Sequence, residues 1–287
     1  MTAGTCTSIR PTPNAESSAR GGWEPLAERP TAGHPRKVLA RAIDALLFSS
    51  FWVSLSAVAL TAAAARAQGV APLPIAAVAG CGTFLVYVVD RLRDLDRDFR
   101  TSPSRSSFVS AHRTSLQVGA ALAGCAALGL ATTLPWQTLL APAAATPVAF
   151  LHRRLKRFEL AKATYVTAAW VAVTTGMPAG LGGAHTGWVA GTIALAVFSN
   201  AVASNIRDAE AGAARFGAQP VLRLAYGTAA AATALPLLGP DAVRPLAAIG
   251  LLTLVALVWF RPTERYGLGI IDGALLLGGL AALALGA

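Results

Sequence analysis

Stretches of about 20 residues with almost no charge recur along this chain, and that length is what an α-helix needs to cross the hydrocarbon core of a bilayer. Backbone groups in lipid must find their hydrogen bonds within their own segment, so each such run is expected to be helical. The runs fall roughly at 42–65, 71–92, 115–134, 136–152, 160–180, 186–207, 220–238, 243–260 and 266–286. They predict an all-α, polytopic membrane bundle of about nine transmembrane helices. Composition agrees. Charged residues are 13% of the 287, where a soluble domain carries about 25%, apolar residues are 54%, and mean hydropathy is +0.54. Many runs are rich in Ala and Gly, which lets helices approach closely. Pro135, Pro142, Pro147 and Pro178 are expected to mark breaks or kinks.

Residues 1–38 are rich in Pro, Gly, Ser, Thr and Arg and read as a disordered cytoplasmic tail ahead of a 39–287 membrane domain. That polar start and the long first run predict no cleaved signal peptide. The net charge of +10 is not taken as a nucleic-acid signature, because the basic residues sit between apolar runs rather than in a basic domain. If the tail is cytoplasmic, every Lys and Arg except Arg66 and Arg244 falls on the cytoplasmic side. That bias sets the orientation, since Lys and Arg gather in cytoplasmic loops. Trp136, Trp188 and Trp259 lie near run ends, where indoles favour the interface. Cys6, Cys81 and Cys125 form no CxxC, and the four histidines lack metal-ligand spacing.

The acids are clustered. Asp90, Asp94, Asp96 and Asp98 fall in VYVVDRLRDLDRD at the cytoplasmic end of the second run. Asp208 and Glu210 fall in NAVASNIRDAEAG at the same end of the sixth. Continued as helix, the second run places Asp90, Asp94 and Asp98 on one face, with Thr83, Val86 and Tyr87 beyond them and Asp96 pointing elsewhere. On the sixth run, Asn200, Ser204 and Asp208 share a face, with Asn205 near it. Carboxylates stacked this way repel unless a cation neutralises them, and hard oxygen ligands suit Mg²⁺ bridged to phosphate. Arg91, Arg93, Lys156, Arg157 and Arg207 are candidates for the remaining phosphate oxygens. The combination suggests a Mg²⁺-bound diphosphate at the mouth of an apolar bundle, hence a prenyl diphosphate. The plainer alternative is a solvated helix end laced with i, i+3 and i, i+4 ion pairs.

These residues resemble the UbiA superfamily of intramembrane prenyltransferases, nine-helix proteins with Asp-rich motifs ending the second and sixth helices. Its first motif, NDxxDxxxD, corresponds to Val86–Asp94, where Asp90 and Asp94 match. Its second, DxRDxEGDxxAG, corresponds to Asn205–Gly217, where Arg207, Asp208 and Glu210 match. A basic LKR stretch between the fourth and fifth helices corresponds to Leu155, Lys156 and Arg157. Val86 and Tyr87 stand where the family has Asn and Asp, and Asn205 and Gly212 replace two acids. The resemblance covers about residues 40–287. It implies a Mg²⁺-dependent transferase, moving a prenyl group from its diphosphate to an aromatic or lipid acceptor in a bacterial-type plasma (inner) membrane. Asp90, Asp94, Asp98 and Asp208 would ligate metal, with Asp90, Asp94 and Asp208 catalytic. Tyr87, Arg91, Lys156, Arg157, Asn205 and Arg207 would bind substrate, and Phe84, Tyr87, Tyr165 or Trp170 would face an allylic cation. The alternatives are an intramembrane terpene cyclase and a non-catalytic isoprenoid-binding or transport protein. Asp272, alone in the last run, is expected either to line a cavity or to pair with a neighbouring hydroxyl.

Overall fold

The computed structural model describes residues 35–155, 161–207 and 216–286. The expected tail to Gly33 and His34, the basic pair Lys156 and Arg157, and the acids Asp208 and Glu210 lie outside the described residues. The chain divides into Met1–Leu39 and Ala40–Ala287. Of the first unit, the described part is the opening of the first helix, and the second unit carries all the remaining helical structure.

Among the described residues all regular structure is helical. The first run is not one helix. Helix α1 (Pro35–Phe48) and helix α2 (Phe51–Ala67) meet at a 61° bend. Ser50 makes the turn in the left-handed region, φ 73°, a strained conformation for a residue with a Cβ. Gly69, φ 72°, ends α2, with the Gly69 N–H on Arg66 O and the Val70 N–H on Ala65 O. This is the left-handed helix stop that glycine favours.

Helix α3 (Ile75–Arg93) gives way to the short α4 (Leu95–Asp98) and α5 (Pro103–Ala111). Helices α6 (Arg113–Ala131) and α7 (Trp136–Leu155) come next. Pro135 sits just ahead of α7, whereas Pro142 and Pro147 lie within it, so those two do not end it. The fifth run divides at Thr175 into α8 (Ala161–Thr174) and α9 (Gly176–Gly180). Then come α10 (Thr186–Arg207) and α11 (Ala218–Leu237), a 3-10 turn (Asp241–Leu246), and α12 (Ala247–Val258). The last run is α13 (Glu264–Tyr266), a π turn (Gly267–Ile271) and α14 (Asp272–Leu285). Thr263 starts it, accepting the Tyr266 N–H on Oγ1.

Five of these segments are long and apolar enough to cross a membrane, or six with the bent α1–α2 pair. The other expected spans fall on helices too, but those helices do not meet that length and composition. Neighbours pack in the order α6, α3, α2, α14, α12, α11, α10, α8, α7, and α2 also touches α8 and α10 inside this arc. Small residues permit the approach. A Cβ on Gly278 would stand 2.6 Å from Ile249 Cα, and one on Gly250 would strike the backbone at Ala232 and Thr233.

The outward faces are apolar. On α6 only Leu116 and Ala120 are buried, while Val118, Leu122 and Leu128 are exposed. Leu251 and Val255 on α12 and Leu277 and Leu280 on α14 are exposed as well. Water would not tolerate so much apolar surface on a monomer, whereas lipid favours it. Trp136 and Trp259 are exposed near run ends as expected, but Trp188 packs against the core beside Gly239.

Polar contacts collect at two ends. At one, Arg66 Nε donates to Gly286 O at 2.8 Å, Arg244 pairs with Asp241 at 2.7 Å, and Gln68 accepts from Thr186 Oγ1 at 2.9 Å. At the other, Arg265 pairs with Asp44 at 2.9 Å and Arg105 with Asp98 at 2.8 Å. Single cysteines at exposed Ser104 and Ala184, in a background lacking Cys6, Cys81 and Cys125, are therefore expected to react with an impermeant maleimide from opposite faces of a vesicle. Labelling of both from one face would overturn this arrangement of spans.

Candidate functional site

The acidic stretch does not run on as one helix. Asp94 caps α3 at φ −101°, ψ 11°, and the chain re-enters helix at Leu95. Helical bonds survive the break, because Asp94 N–H donates to Asp90 O at 3.0 Å and Asp98 N–H to Asp94 O at 2.9 Å. Asp90, Asp94 and Asp98 consequently still line one cavity, of about 320 Å³, while Asp96 is exposed and away from it. This volume suits a small organic ligand.

Five helices wall the cavity. From α3 come Val86, Tyr87, Asp90 and Arg91; from α2, Val53 and Ser56. Helix α8 adds Lys162, Tyr165, Val166, Ala169 and Trp170. Helix α10 adds Val197, Asn200, Ala201, Ser204 and Arg207. Asp272 and Leu275 come from α14, with Leu268 just before it. The segment after Asp94 contributes Arg97, Asp98, Thr101 and Arg105. The lining is thus divided: charged where α3, α4 and the end of α10 meet, apolar and aromatic along α2 and α8.

Each charged side chain is held by the local fold. Arg91 is buried, with Nη1 donating to Phe48 O at 2.6 Å, a carbonyl exposed by the α1–α2 bend. Its other guanidinium hydrogens remain to serve an anion. Arg207 lies over Gly267, where a Cβ would stand 2.5 Å from Nη1. Asp98 and Arg105 bond across the α4–α5 turn. Ser104 N–H donates to Glu264 Oε2 at 3.3 Å, tying α5 to the start of the last run. Deeper in, Trp170 Nε1 donates to Tyr87 Oη at 3.3 Å, joining the aromatic walls of α8 and α3.

Of the site residues expected from sequence, the cavity gathers Asp90, Asp94, Asp98, Tyr87, Arg91 and Arg207. Asp208, Lys156 and Arg157 lie outside the described residues. Asn205 does not line the cavity; it is buried, and its Oδ1 has no hydrogen-bond partner among the described residues. The register explains this: Asn200 and Ser204, one turn apart, take the cavity face, and Asn205 is turned past it. Phe84 packs against Gly119 of α6 rather than facing the cavity, and Arg93 is exposed away from it. Arg97, Arg105 and Lys162 were not expected there. Arg97 follows Asp90 and Asp94 at i+7 and i+3, a helical-face signal the sequence does carry. Asp272 lines the cavity, the first of its two expected alternatives.

Asp208, the fourth carboxylate of the expected metal set, lies outside the described residues. Among the described residues no three His, Cys, Asp or Glu side chains are grouped to hold a metal, and Asp98 is engaged by Arg105. Asp90 and Asp94 at the mouth offer oxygen donors only. That donor chemistry fits Mg²⁺ sharing its coordination with phosphate and water.

Gly267→Ala is expected to push the Arg207 guanidinium off this wall with little cost to the fold, because a flexible side chain yields. Its thermal midpoint should match the wild type, while its affinity for inorganic pyrophosphate falls toward that of Arg207→Ala. Unchanged affinity, measured by calorimetry, would remove Arg207 from the site. Comparison of the chain with protein-family models, curated proteins and solved structures returns no match.

Proposed function

We propose that this chain is a Mg²⁺-dependent intramembrane prenyltransferase, moving a prenyl group from its diphosphate to an aromatic or lipid acceptor. One observation carries the reading: a single cavity is charged at one end and apolar and aromatic at the other. A ligand with a diphosphate head and a hydrocarbon tail matches both. The motif resemblance to the UbiA superfamily points the same way. The reading includes the arrangement expected from sequence, about nine spans with the N-terminus in the cytoplasm of a bacterial-type plasma membrane.

In this reading the allylic C–O bond breaks and its electron pair leaves with the diphosphate. A carbon of the acceptor supplies the pair that forms the new bond, and the proton displaced there is released. Arg91, Arg97, Arg105, Lys162 and Arg207 hold the diphosphate oxygens and stabilise the charge growing on them. Asp90 and Asp94 would hold Mg²⁺, which supplies further neutralisation of that charge. Tyr87, Tyr165 and Trp170 face the carbon chain, keep water from it, and offer π faces to the allylic cation. The same walls would serve an intramembrane cyclase. Hydrocarbon formed from geranyl diphosphate without acceptor would favour that second reaction.

Asp90→Asn, Asp94→Asn and Asp208→Asn are each expected to lower kcat by about 100-fold or more, the scale of one lost charge-stabilising group. Asp96→Asn should change it little, since that side chain is outside the cavity. Steady-state turnover of geranyl diphosphate with an aromatic acceptor checks this, and a dominant effect of Asp96 would sink the assignment.

Among the described lining residues five cations face four carboxylates. A diphosphate brings more negative charge than that small excess balances, so metal and diphosphate should enter together. Calorimetry is expected to show negligible binding of millimolar Mg²⁺ alone and clear binding of Mg²⁺ with geranyl diphosphate. Lys156→Ala and Arg207→Ala should each weaken that ternary complex by about 1.5–3 kcal/mol. Tight Mg²⁺ binding to the empty protein would contradict this charge balance.

A further inference from the structure

Asp272 lines the cavity from α14 and is not among the residues assigned to hold the diphosphate or the metal. Asn200 Nδ2 donates both to Ile271 O at 3.0 Å and to Asp272 Oδ1 at 3.1 Å. Both amide hydrogens are thereby engaged. Ser56 Oγ donates to the Asp272 carbonyl at 3.3 Å. The backbone is thus held from α2 and α10 at once. The π turn Gly267–Ile271 comes immediately before it, and such a turn re-aims the residues after it.

The second carboxylate oxygen, Oδ2, accepts no hydrogen bond from a described residue, and neither does Asn200 Oδ1. Arg207 and Arg91 act on Asp272 electrostatically, but neither closes an ion pair with it. Among the described residues, then, no donor is committed to these two acceptor atoms. An ionisable group inside a membrane bundle marks function. Asp272 stands on α14, whereas the mouth carboxylates stand on α3 and α4.

We propose that Asp272, oriented by Asn200, reads the second substrate: it accepts a hydrogen bond from an uncharged hydroxyl or amine on the acceptor and excludes acceptors bearing a carboxylate. This rests on the transferase reading. Selection arises in two ways. An analogue without the donor leaves a buried acceptor pair unsatisfied, and a site built for a hydroxyl discriminates strongly against its absence. An anionic acceptor meets like charge, a repulsive element that attraction elsewhere must overcome.

The test uses the full chain in lipid nanodiscs with Mg²⁺ and geranyl diphosphate. The acceptor probes are hydroquinone, its dimethyl ether and 2,5-dihydroxybenzoate. Wild type is expected to favour hydroquinone over each of the others by about 100-fold in kcat/KM. Asp272→Asn should shrink the preference over 2,5-dihydroxybenzoate at least about tenfold, and Asp272→Ser should shrink both preferences by that much. Asp272→Glu should restore part of each. Binding of Mg²⁺ with geranyl diphosphate should persist in all three variants. If the ratios hold constant while that binding and turnover persist, the inference is overturned and the transferase stands. If the wild type neither binds nor consumes geranyl diphosphate, both are overturned.

Discussion

A charge cannot rest in hydrocarbon without a partner, and the arrangement of this chain reflects that cost. The outward faces of α6, α12 and α14 carry Leu and Val. The ionised side chains retreat to two ends, where they pair: Arg244 with Asp241 at one, Asp44 with Arg265 and Asp98 with Arg105 at the other. The cavity gathers charge as well, the Asp98–Arg105 pair included. There, charge is shielded from lipid by the surrounding helices.

Three departures from regular helix surround that cavity. Ser50 turns the chain between α1 and α2, Asp94 interrupts α3 and α4, and the π turn precedes α14. Two of these release a carbonyl that a side chain then takes. Phe48 O receives Arg91, and Ile271 O receives Asn200. Irregular backbone at such depth is tolerated where it lines a cavity rather than lipid. Strain and re-aimed turns concentrate at sites that act, and here they set the direction of Arg91, Asp98 and Asp272.

The helical character of the chain was legible because apolar length alone requires it, and every expected run does fall on helix. The bend at Ser49 and Ser50 was not, since two serines within an apolar run are compatible with a straight helix. The number of membrane-crossing segments was less legible for the same reason: run length does not register the interruption at Thr175. At the site, the i, i+4 pattern placed Asp90, Asp94, Asn200 and Ser204 correctly, because helical periodicity carries through a one-residue break. Asn205, a substrate-binding residue by the resemblance, shares the motif but does not line the cavity. Asp272 could be noticed from sequence as a lone acid in an apolar run, but its partner could not. Asn200 and Asp272 are 72 residues apart, and only the packed bundle brings them together.

The departures from the resembled motif take on physical sense in this arrangement. Tyr87 stands where the family carries an acid, and it forms part of the aromatic wall with Trp170. A carboxylate at that position would sit one turn deeper than Asp90, against the apolar half of the cavity. Removing it leaves that wall free of ionised groups on α3, while a carboxylate appears opposite, on α14, already oriented by an amide. The cavity therefore differs from the motif less in how many acids it holds than in where they stand. Under the proposed transferase reading, position would decide their role: acids beside Arg91 and Arg97 would share in handling an anion, whereas one held by Asn200 would act on an uncharged donor.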